Sequence, residues 1–271
     1  MRLQSLHTHS LFDDGKSTLE EMVLSALDHD LAALGFSGHS PMPEPQGWTV
    51  QLEDLPKYKA EVFRLKEKYA DQIPLYYGIE LDLVSQIPVD EYEYVIGSVH
   101  HIPWEDGWVS VDDSVAMTRN NVKNLFKGDS DAYAIEYYKQ VERIAGYPQI
   151  KICAHFDQLT KFNEIEPLVN TDTLAYQRAA DRAMEAVVAA DKVFEINTGA
   201  ISRGYRVTPY PPLHMLRQLN RMGARITITA DAHHADAIAC GYADALERAK
   251  FCGYREIWLF DGKEFVPTPI D

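Results

Sequence analysis

The sequence predicts an α/β protein built as one barrel-like domain. Short apolar runs that resemble strands alternate with longer amphipathic segments, which is typical of repeated βα units around a parallel sheet. Metal-competent side chains also fall at or just after the carboxyl ends of these runs, where barrel active sites are built. No change of composition, linker or internal repeat divides the chain, so we expect residues 1–271 to form a single domain.

The elements follow one another regularly along the chain. Apolar runs predict strands at residues 2–6, 33–37, 75–80, 94–99, 150–154, 193–196, 225–229 and 256–260. Helical spacing of apolar residues predicts helices at residues 52–69, 131–144, 173–190, 212–222 and 236–252. A further helix is expected to begin at Ser17, because Ser17 and Glu20 have the spacing of a capping box. Residues 103–131 carry few strand or helix signals, which makes this long connection a candidate lid.

Charge and cysteine content argue against several classes of protein. A formal charge of -15 offers no basic face for nucleic acid or an anionic membrane, so any phosphate must be bound locally. The three cysteines form no CxxC pair, which argues against a disulfide framework or a zinc–thiolate site and favours a reducing cytoplasm. We expect neither a signal peptide nor a transmembrane helix, since the first residues and the rest of the chain lack the necessary apolar runs. The oligomeric state is left open.

The polar residues at the strand ends predict a multinuclear metallohydrolase. His7 and His9 alternate in His7-Thr8-His9, so both imidazoles project from one face and can share an ion. This motif is weak alone, but seven more side chains have the same placement. They are Asp14, His39, Glu80, His100, His155, Asp231 and His233.

Several of these residues also have a structural interpretation. Glu80 suits a ligand that bridges two ions, or a carboxylate paired with an arginine. Adjacent side chains on a strand point in opposite directions, so we choose His100 as the ligand and expect His101 to be structural. Alternation likewise pairs Asp231 with His233 and leaves His234 as a neighbour. We exclude His29 and His214, which lie in helical patterns.

These motifs resemble the polymerase and histidinol phosphatase (PHP) superfamily. The matching segments cover nearly the whole chain and include residues 7–9, 13–15, 38–40, 78–80, 97–100, 154–157 and 231–233. The resemblance implies a distorted (β/α)7 TIM-like barrel with three divalent metal ions at the carboxyl ends of the strands. It implies a first ion held by His7, His9, Glu80 and Asp231, a second by Glu80, His100 and His155, and a third by Asp14, His39 and His233.

Residues 154–163, 195–204 and 205–211 are more distinctive, and they resemble the histidinol-phosphate phosphatases of this superfamily. The resemblance implies a phosphomonoesterase that hydrolyses L-histidinol phosphate in histidine biosynthesis. The alternative is a related phosphoesterase that acts on nucleotides or other small phosphate esters.

The expected chemistry follows from these ligand types. Oxygen and imidazole ligands without thiolates suit zinc, manganese or iron. A hydroxide bridging two of the ions attacks phosphorus in line with the ester oxygen, while the third ion clamps a phosphate oxygen. Arg203 is the leading candidate for binding phosphate through its planar fork, with Arg206 and Lys161 as weaker candidates.

The remaining catalytic roles are less defined by the sequence. Asp231 or His233 is expected to donate a proton to the leaving group. Glu195 either binds a cationic amine of the substrate or orients a neighbouring side chain, and Asp157 is a further candidate for orienting a metal-bound histidine.

Two rival classes are disfavoured. A metal-dependent amidohydrolase would commonly use a carboxylated lysine where Glu80 stands, and it has no role for Asp14, His39 and His233. A non-catalytic barrel is expected to lack ligands, whereas all nine are present.

Overall fold

A sheet of seven parallel strands, nearly closed into a barrel, forms the centre of the fold. In the computed structural model, which describes residues 1–270, the strands in chain order are β1 (Gln4–Ser5), β2 (Ala33–Phe36), β3 (Leu75–Asp82), β4 (Tyr94–Ser98), β5 (His101–Trp104), β6 (Gly107–Ser110), β7 (Ile150–Cys153), β8 (Val193–Asn197), β9 (Arg225–Thr229), β10 (Glu256–Phe260) and β11 (Phe265–Pro269). The barrel order is β1-β2-β3-β4-β7-β8-β9. The predicted seven-stranded barrel is confirmed.

The seam between the first and last barrel strands is joined just beyond their ends. Thr8 and Ala232 form an isolated parallel bridge. The His9 N–H donates to the Ala232 carbonyl at 2.9 Å, and the Ala232 N–H donates to the His7 carbonyl at 3.1 Å. The seam therefore passes directly through the segments that carry predicted metal ligands.

Helices cover the outside of the sheet. The α-helices are α1 (Leu19–Asp28), α2 (Leu55–Lys68), α3 (Val115–Asn120), α4 (Ser130–Arg143), α5 (Leu174–Ala189), α6 (Gly199–Ser202), α7 (Leu213–Arg221) and α8 (Tyr242–Phe251). Short 3₁₀ turns lie at Leu52–Asp54, Ile144–Gly146, Gln158–Thr160 and Ala235–Ala237, and Asn121–Leu125 is π-helical. Within residues 1–270, none of the helices combines the length and the apolar character needed to cross a membrane.

The start of α1 differs from the prediction by one residue. Thr18 is the N-cap, and its hydroxyl accepts a hydrogen bond from the Glu21 N–H, while the Glu21 carboxylate accepts one from the Thr18 N–H. The expected capping box at Ser17 and Glu20 is wrong, because the Ser17 hydroxyl accepts the N–H of Ala235 from the other end of the chain. The two pairs have the same spacing, so only this long-range contact separates them.

The last predicted strand has the expected bounds but lies outside the barrel. Strand β10 pairs antiparallel with β11, a strand that the sequence did not indicate. Phe260 packs on Tyr76 and Tyr94, with ring centroids 5.0 and 5.6 Å apart, at the amino-terminal ends of β3 and β4. The hairpin therefore covers the end of the barrel opposite the predicted metal ligands.

The predicted long loop at residues 103–131 is wrong in part, since much of it is regular structure. Strands β5 and β6 form a hairpin, and α3 and the π-helical turn follow it. The hairpin turns at Glu105 and Asp106, and Glu105 has a positive φ of 50°. A positive φ at the first central residue usually indicates glycine, so this turn gave no sequence signal.

Tyr94 fills the barrel interior beside two glycines. A Cβ atom at Gly78 would lie 2.3 Å from the Tyr94 ring, and one at Gly35 would lie 2.4 Å from its hydroxyl. That hydroxyl donates to the Leu6 carbonyl at 2.6 Å. The two glycines are thus required for the close packing of β2 and β3 around one aromatic ring.

Candidate metal centre

All nine predicted ligands meet at the carboxyl ends of the barrel strands. Their nitrogen and oxygen atoms form overlapping groups in which the ligand atoms lie within 4.8 Å of one another. The groups are His7, Glu80 and His155; His7, His9 and Asp231; His39, Glu80 and His100; and His9, Asp14, His39 and His233. His29, His214 and His234 lie outside them, as expected.

Glu80 stands between two groups of imidazoles. Its Oε2 atom lies 2.8 Å from His39 Nδ1, 3.2 Å from His7 Nε2 and 3.6 Å from His9 Nε2. Its Oε1 atom lies 3.5 Å from His100 Nε2 and 3.0 Å from His155 Nε2. The carboxylate is buried and presents one oxygen to each group, which is the arrangement that a bridging ligand needs.

The other two carboxylates each face a pair of imidazoles as well. Asp231 Oδ1 lies 3.2 Å from His9 Nε2 and 3.8 Å from His7 Nε2. Asp14 Oδ1 lies 3.1 Å from His233 Nε2 and 3.7 Å from His39 Nε2. Both carboxylates therefore face imidazoles of the cluster, with Asp14 and not its neighbour turned toward His233 and His39. How the nine ligands divide among three ions stays a prediction, because His39 also groups with Glu80 and His100.

Buried atoms without hydrogen-bond partners show that the cluster suits metal ions. His7 Nε2, His9 Nε2, Asp14 Oδ1 and Glu80 Oε2 are all of this kind. Buried polar atoms in native proteins are nearly always paired, so atoms that converge unpaired require a ligand. Nitrogen and oxygen donors in this number fit zinc, manganese or iron.

The charges of the cluster favour cation binding. Burial lowers the pKa of the His9 imidazole, but the carboxylates of Asp13 and Asp231 outweigh it and raise this pKa to about 10. Burial disfavours the ionised form of Glu80, yet His7 and the other imidazoles hold its pKa well below the usual value. The carboxylates thus favour positive charge on the His9 imidazole, and a divalent cation can supply that charge in place of a proton.

A second set of carboxylates orients the imidazoles. Glu195 Oε2 accepts from His7 Nδ1 at 3.0 Å, Asp13 Oδ2 accepts from His9 Nδ1 at 2.6 Å, and Asp82 Oδ2 lies 3.4 Å from His100 Nδ1. When Nδ1 carries the proton, the lone pair of Nε2 is directed at the ion. The orienting roles of Asp13 and Asp82 were not predicted from the sequence, although Asp82 lies two residues after Glu80 and so shares its face of β3.

This geometry agrees with a comparison to known families. The family model of the PHP domain matches residues 5–199. The chain belongs to the PHP domain family. The match includes seven of the nine candidate ligands and ends before Asp231 and His233.

Relatives of this PHP domain chain are similar over nearly their whole length. A probable histidinol-phosphatase from Schizosaccharomyces pombe is 25% identical, covering 95% of this chain and 89% of the relative. One from Deinococcus radiodurans is also 25% identical, covering 93% and 94%. A histidinol phosphate phosphatase from Lactococcus lactis, solved with zinc, L-histidinol and phosphate, shares the fold with a TM-score of 0.72 at 20% identity, covering 98% of this chain and 99% of its own.

Two cationic side chains line the pocket above the nine candidate metal ligands. Arg203 donates to Asp231 Oδ2 at 3.0 Å, and its side chain is about one-fifth exposed. Lys161 lies over the Tyr205 ring, with Nζ 4.9 Å from its centroid. Arg203 and Lys161 are therefore placed where a phosphate group can reach them.

Arg206 is placed elsewhere. It is buried over the Tyr210 ring at 4.2 Å and donates to Thr160 Oγ1 at 2.9 Å, and its guanidinium lies 3.6 Å from Asp157 Oδ2. These partners lie beneath the pocket, and Arg206 is not among the residues that line it, so the expected contact of Arg206 with substrate stays a prediction. Asp157 pairs with Arg206, and its expected role in orienting a histidine also stays a prediction.

Glu195 also lies beneath the pocket. Its Oε1 accepts from the His155 N–H at 2.6 Å and from Asn197 at 2.7 Å, and its Oε2 accepts from His7 and Thr229. Both oxygens are used and the side chain is fully buried. Of the two roles that the sequence left open, the geometry favours the orienting one over contact with a substrate amine.

Both expected proton donors lie among charged groups that shift their pKa. Although burial raises the pKa of the Asp231 carboxyl, Arg203 and His7 hold it well below the usual value. Burial, His9 and Arg203 together lower the pKa of His233 to about 4. These shifts describe the protein without its ions, so the role of Asp231 or His233 as general acid stays a prediction.

Proposed function

We propose that this protein is a metal-dependent phosphomonoesterase that hydrolyses L-histidinol phosphate to L-histidinol and inorganic phosphate in histidine biosynthesis. The observation that carries the reaction class is Glu80, which is buried with each of its two oxygens facing a separate group of imidazoles beneath a pocket lined by Arg203 and Lys161. The substrate is inferred from relatives that are named histidinol-phosphatases and cover most of the chain.

Three ions are part of this proposal, with zinc, manganese and iron as the candidates. His7, His9, Glu80 and Asp231 would hold the first ion, Glu80, His100 and His155 the second, and Asp14, His39 and His233 the third. When bound, such ions activate a water for attack on phosphorus and neutralise the charge of the phosphate. Zinc is the ion that was found with the Lactococcus lactis protein.

The protein side chains contribute orientation and positive charge. Arg203 is fixed by Asp231 and His233, so its guanidinium is already in place when a phosphate group enters. Glu195, Asp13 and Asp82 hold three imidazoles in one orientation, which keeps the ligand atoms convergent. Charge on the transferring phosphoryl group spreads over its oxygens, and preorganised cations around them stabilise it.

The proposal also covers the setting in which the reaction occurs. We propose that residues 1–271 act as a single domain in the cytoplasm on a small phosphate ester. The formal charge of -15 disfavours nucleic acid and anionic membranes as partners.

The deciding experiment is phosphate release from L-histidinol phosphate and from a panel of nucleotide and sugar phosphates. The protein is loaded in turn with zinc, manganese and iron, and Glu80→Ala serves as the variant that should lose both metal and activity. Strong preference for L-histidinol phosphate would support the proposed substrate. Activity spread over the panel would keep the phosphoesterase and reject the substrate, and no release from any ester would reject the reaction class.

A further inference from the structure

Lys161 is held by Asp112, a residue that is not among the candidate metal ligands. Its Nζ donates to the Asp112 carbonyl at 2.8 Å and to Asp112 Oδ2 at 3.2 Å. A lysine ammonium has three N–H groups, so these two bonds leave one free. The side chain is only about one-tenth exposed, which limits the directions in which this last N–H can point.

Asp112 is itself fixed from several directions. Gln158 donates to the same Oδ2 atom at 2.8 Å, and the Ser110 hydroxyl accepts the Asp112 N–H at 3.3 Å. The preceding residue, Val111, donates its N–H to the carbonyl of His100 at 2.9 Å. Asp112 is thus tied both to the strand end that carries a candidate ligand and to the turn that carries Lys161.

The charges of this pair agree with its geometry. Burial disfavours the ionised carboxylate of Asp112, but Lys161 and His100 outweigh burial and hold its pKa below the usual value. Because His100 is one of the groups that lower the pKa of Asp112, Asp112 and Lys161 lie on the side of the ligand cluster that carries His100 and His155. Arg203 is held on another side, by Asp231 and His233.

Asp112 is supplied by a stretch that the barrel itself does not require. Residues 101–126, here called the inserted segment, contain the β5–β6 hairpin, α3 and the π-helical turn. Asn121 of this segment donates to the Ser110 carbonyl at 2.7 Å, which supports the turn before Asp112. The segment therefore builds one wall of the pocket and presents a carboxylate at a defined point of it.

We propose that Asp112 is a positioning residue that directs the free N–H of Lys161 at a phosphate oxygen, so that Lys161 and Arg203 grip the phosphate from two sides. This inference rests on the proposed function in one respect, that the pocket binds a phosphate group. It does not depend on which alcohol the phosphate esterifies.

The test measures binding of inorganic phosphate to the metal-loaded protein by titration calorimetry, with Asp112→Ala, Lys161→Ala and the double variant. Each single variant should weaken phosphate binding about 10- to 100-fold, the range expected when a charge-assisted hydrogen bond is lost. The double variant should be no weaker than Lys161→Ala, because Asp112 acts through Lys161. Metal content and melting temperature of every variant are measured in parallel, and Asp112→Asn, which keeps an oxygen, should restore part of the binding.

Asp106→Asn is the matched control. It removes one exposed acidic charge from the same inserted segment, and phosphate affinity should stay within about twofold of the parent.

Four outcomes would overturn the proposal. Unchanged phosphate binding in Asp112→Ala would do so, as would additive losses in the double variant. A loss confined to the KM of amine-bearing esters, with phosphate binding intact, would mean that Asp112 contacts the substrate amine directly. Phosphate binding is measured without turnover, so the rejection of L-histidinol phosphate as substrate would leave this test valid. Failure of the parent protein to bind phosphate would instead reject the proposed binding of phosphate between Lys161 and Arg203.

Discussion

Asp13 offers a sharp test of how the metal centre is built, because it is fully buried and binds no ion in the proposed scheme. Its two oxygens accept three N–H groups. Oδ1 accepts from the Ser10 backbone at 2.7 Å, and Oδ2 accepts from His9 Nδ1 at 2.6 Å and from the His39 backbone at 2.9 Å. In Asp13→Asn only one side of the group can accept, so the amide NH2 must face at least one buried N–H.

The expected cost follows from this count. Leaving a buried donor unsatisfied costs about 1–3 kcal/mol. Even when the amide oxygen faces His9, it is a weaker acceptor than the carboxylate, so the His9 ring is held less firmly with Nε2 toward Glu80 and Asp231, and the cost appears as weaker metal binding. Loss of a residue that orients a metal-bound histidine typically lowers metal affinity about 10- to 100-fold, which matches that energy.

The assay is metal retention against a chelator series, followed by elemental analysis. Asp13→Asn should retain the full metal complement at low chelator and lose it at about 10- to 100-fold lower chelator strength than the parent. Asp14→Asn is the matched control, because Asp14 Oδ1 faces His233 and His39 directly, and it should instead lose one ion at every chelator concentration. Parent-like retention in Asp13→Asn would refute the reasoning.

Other predictions concern the barrel, the phosphate site and proton balance. Gly78→Ala should lower the free energy of unfolding by about 1–3 kcal/mol in denaturant titration, since its Cβ would meet the Tyr94 ring, whereas Gly146→Ala, with open space around it, should change little. Arg203→Ala should lower kcat/KM about 10²- to 10³-fold with metal content retained, and parent-like kinetics would contradict its role. Metal loading at pH 7 should release protons, because the pKa of His9 is raised to about 10 without metal, and the sign is that metal affinity falls as pH falls. Calorimetric heats that do not vary with the ionisation enthalpy of the buffer would contradict this.

The barrel and its ligands were accessible from sequence because both depend on local patterns. All seven barrel strands were found from apolar runs, and β9 was predicted with its observed bounds. Parallel strands share one carboxyl edge, so residues placed after separate strands, such as His39 and His155, could be brought together without knowledge of their distances.

Other features depend on contacts between distant parts of the chain. Asp157 decides which of the two arginines faces the pocket, because it pairs with Arg206 beneath the pocket and leaves Arg203 to line it. Asp13 orients His9, whereas Asp14 faces the other candidate ligands. The two residues are adjacent and of the same type, so the sequence alone does not show which side chain takes which role. The β5–β6 hairpin was hidden because Glu105 occupies a turn position where glycine is the usual signal.

The bridge between Thr8 and Ala232 has a consequence for how the chain matures. Strand β1 has only two residues, and His7 and His9 flank the bridge on one side while Asp231 adjoins it on the other. In the proposed scheme, an ion held by these three residues would join residues 7–9 to the segment that follows the last barrel strand, about 220 residues later in the chain. A nascent chain has no such fastening until residue 231 has emerged. We therefore expect newly made protein in metal-starved cells to remain open at the bridge between Thr8 and Ala232. Such open protein should be degraded by proteases first, so that the supply of metal ions sets how much of the protein survives.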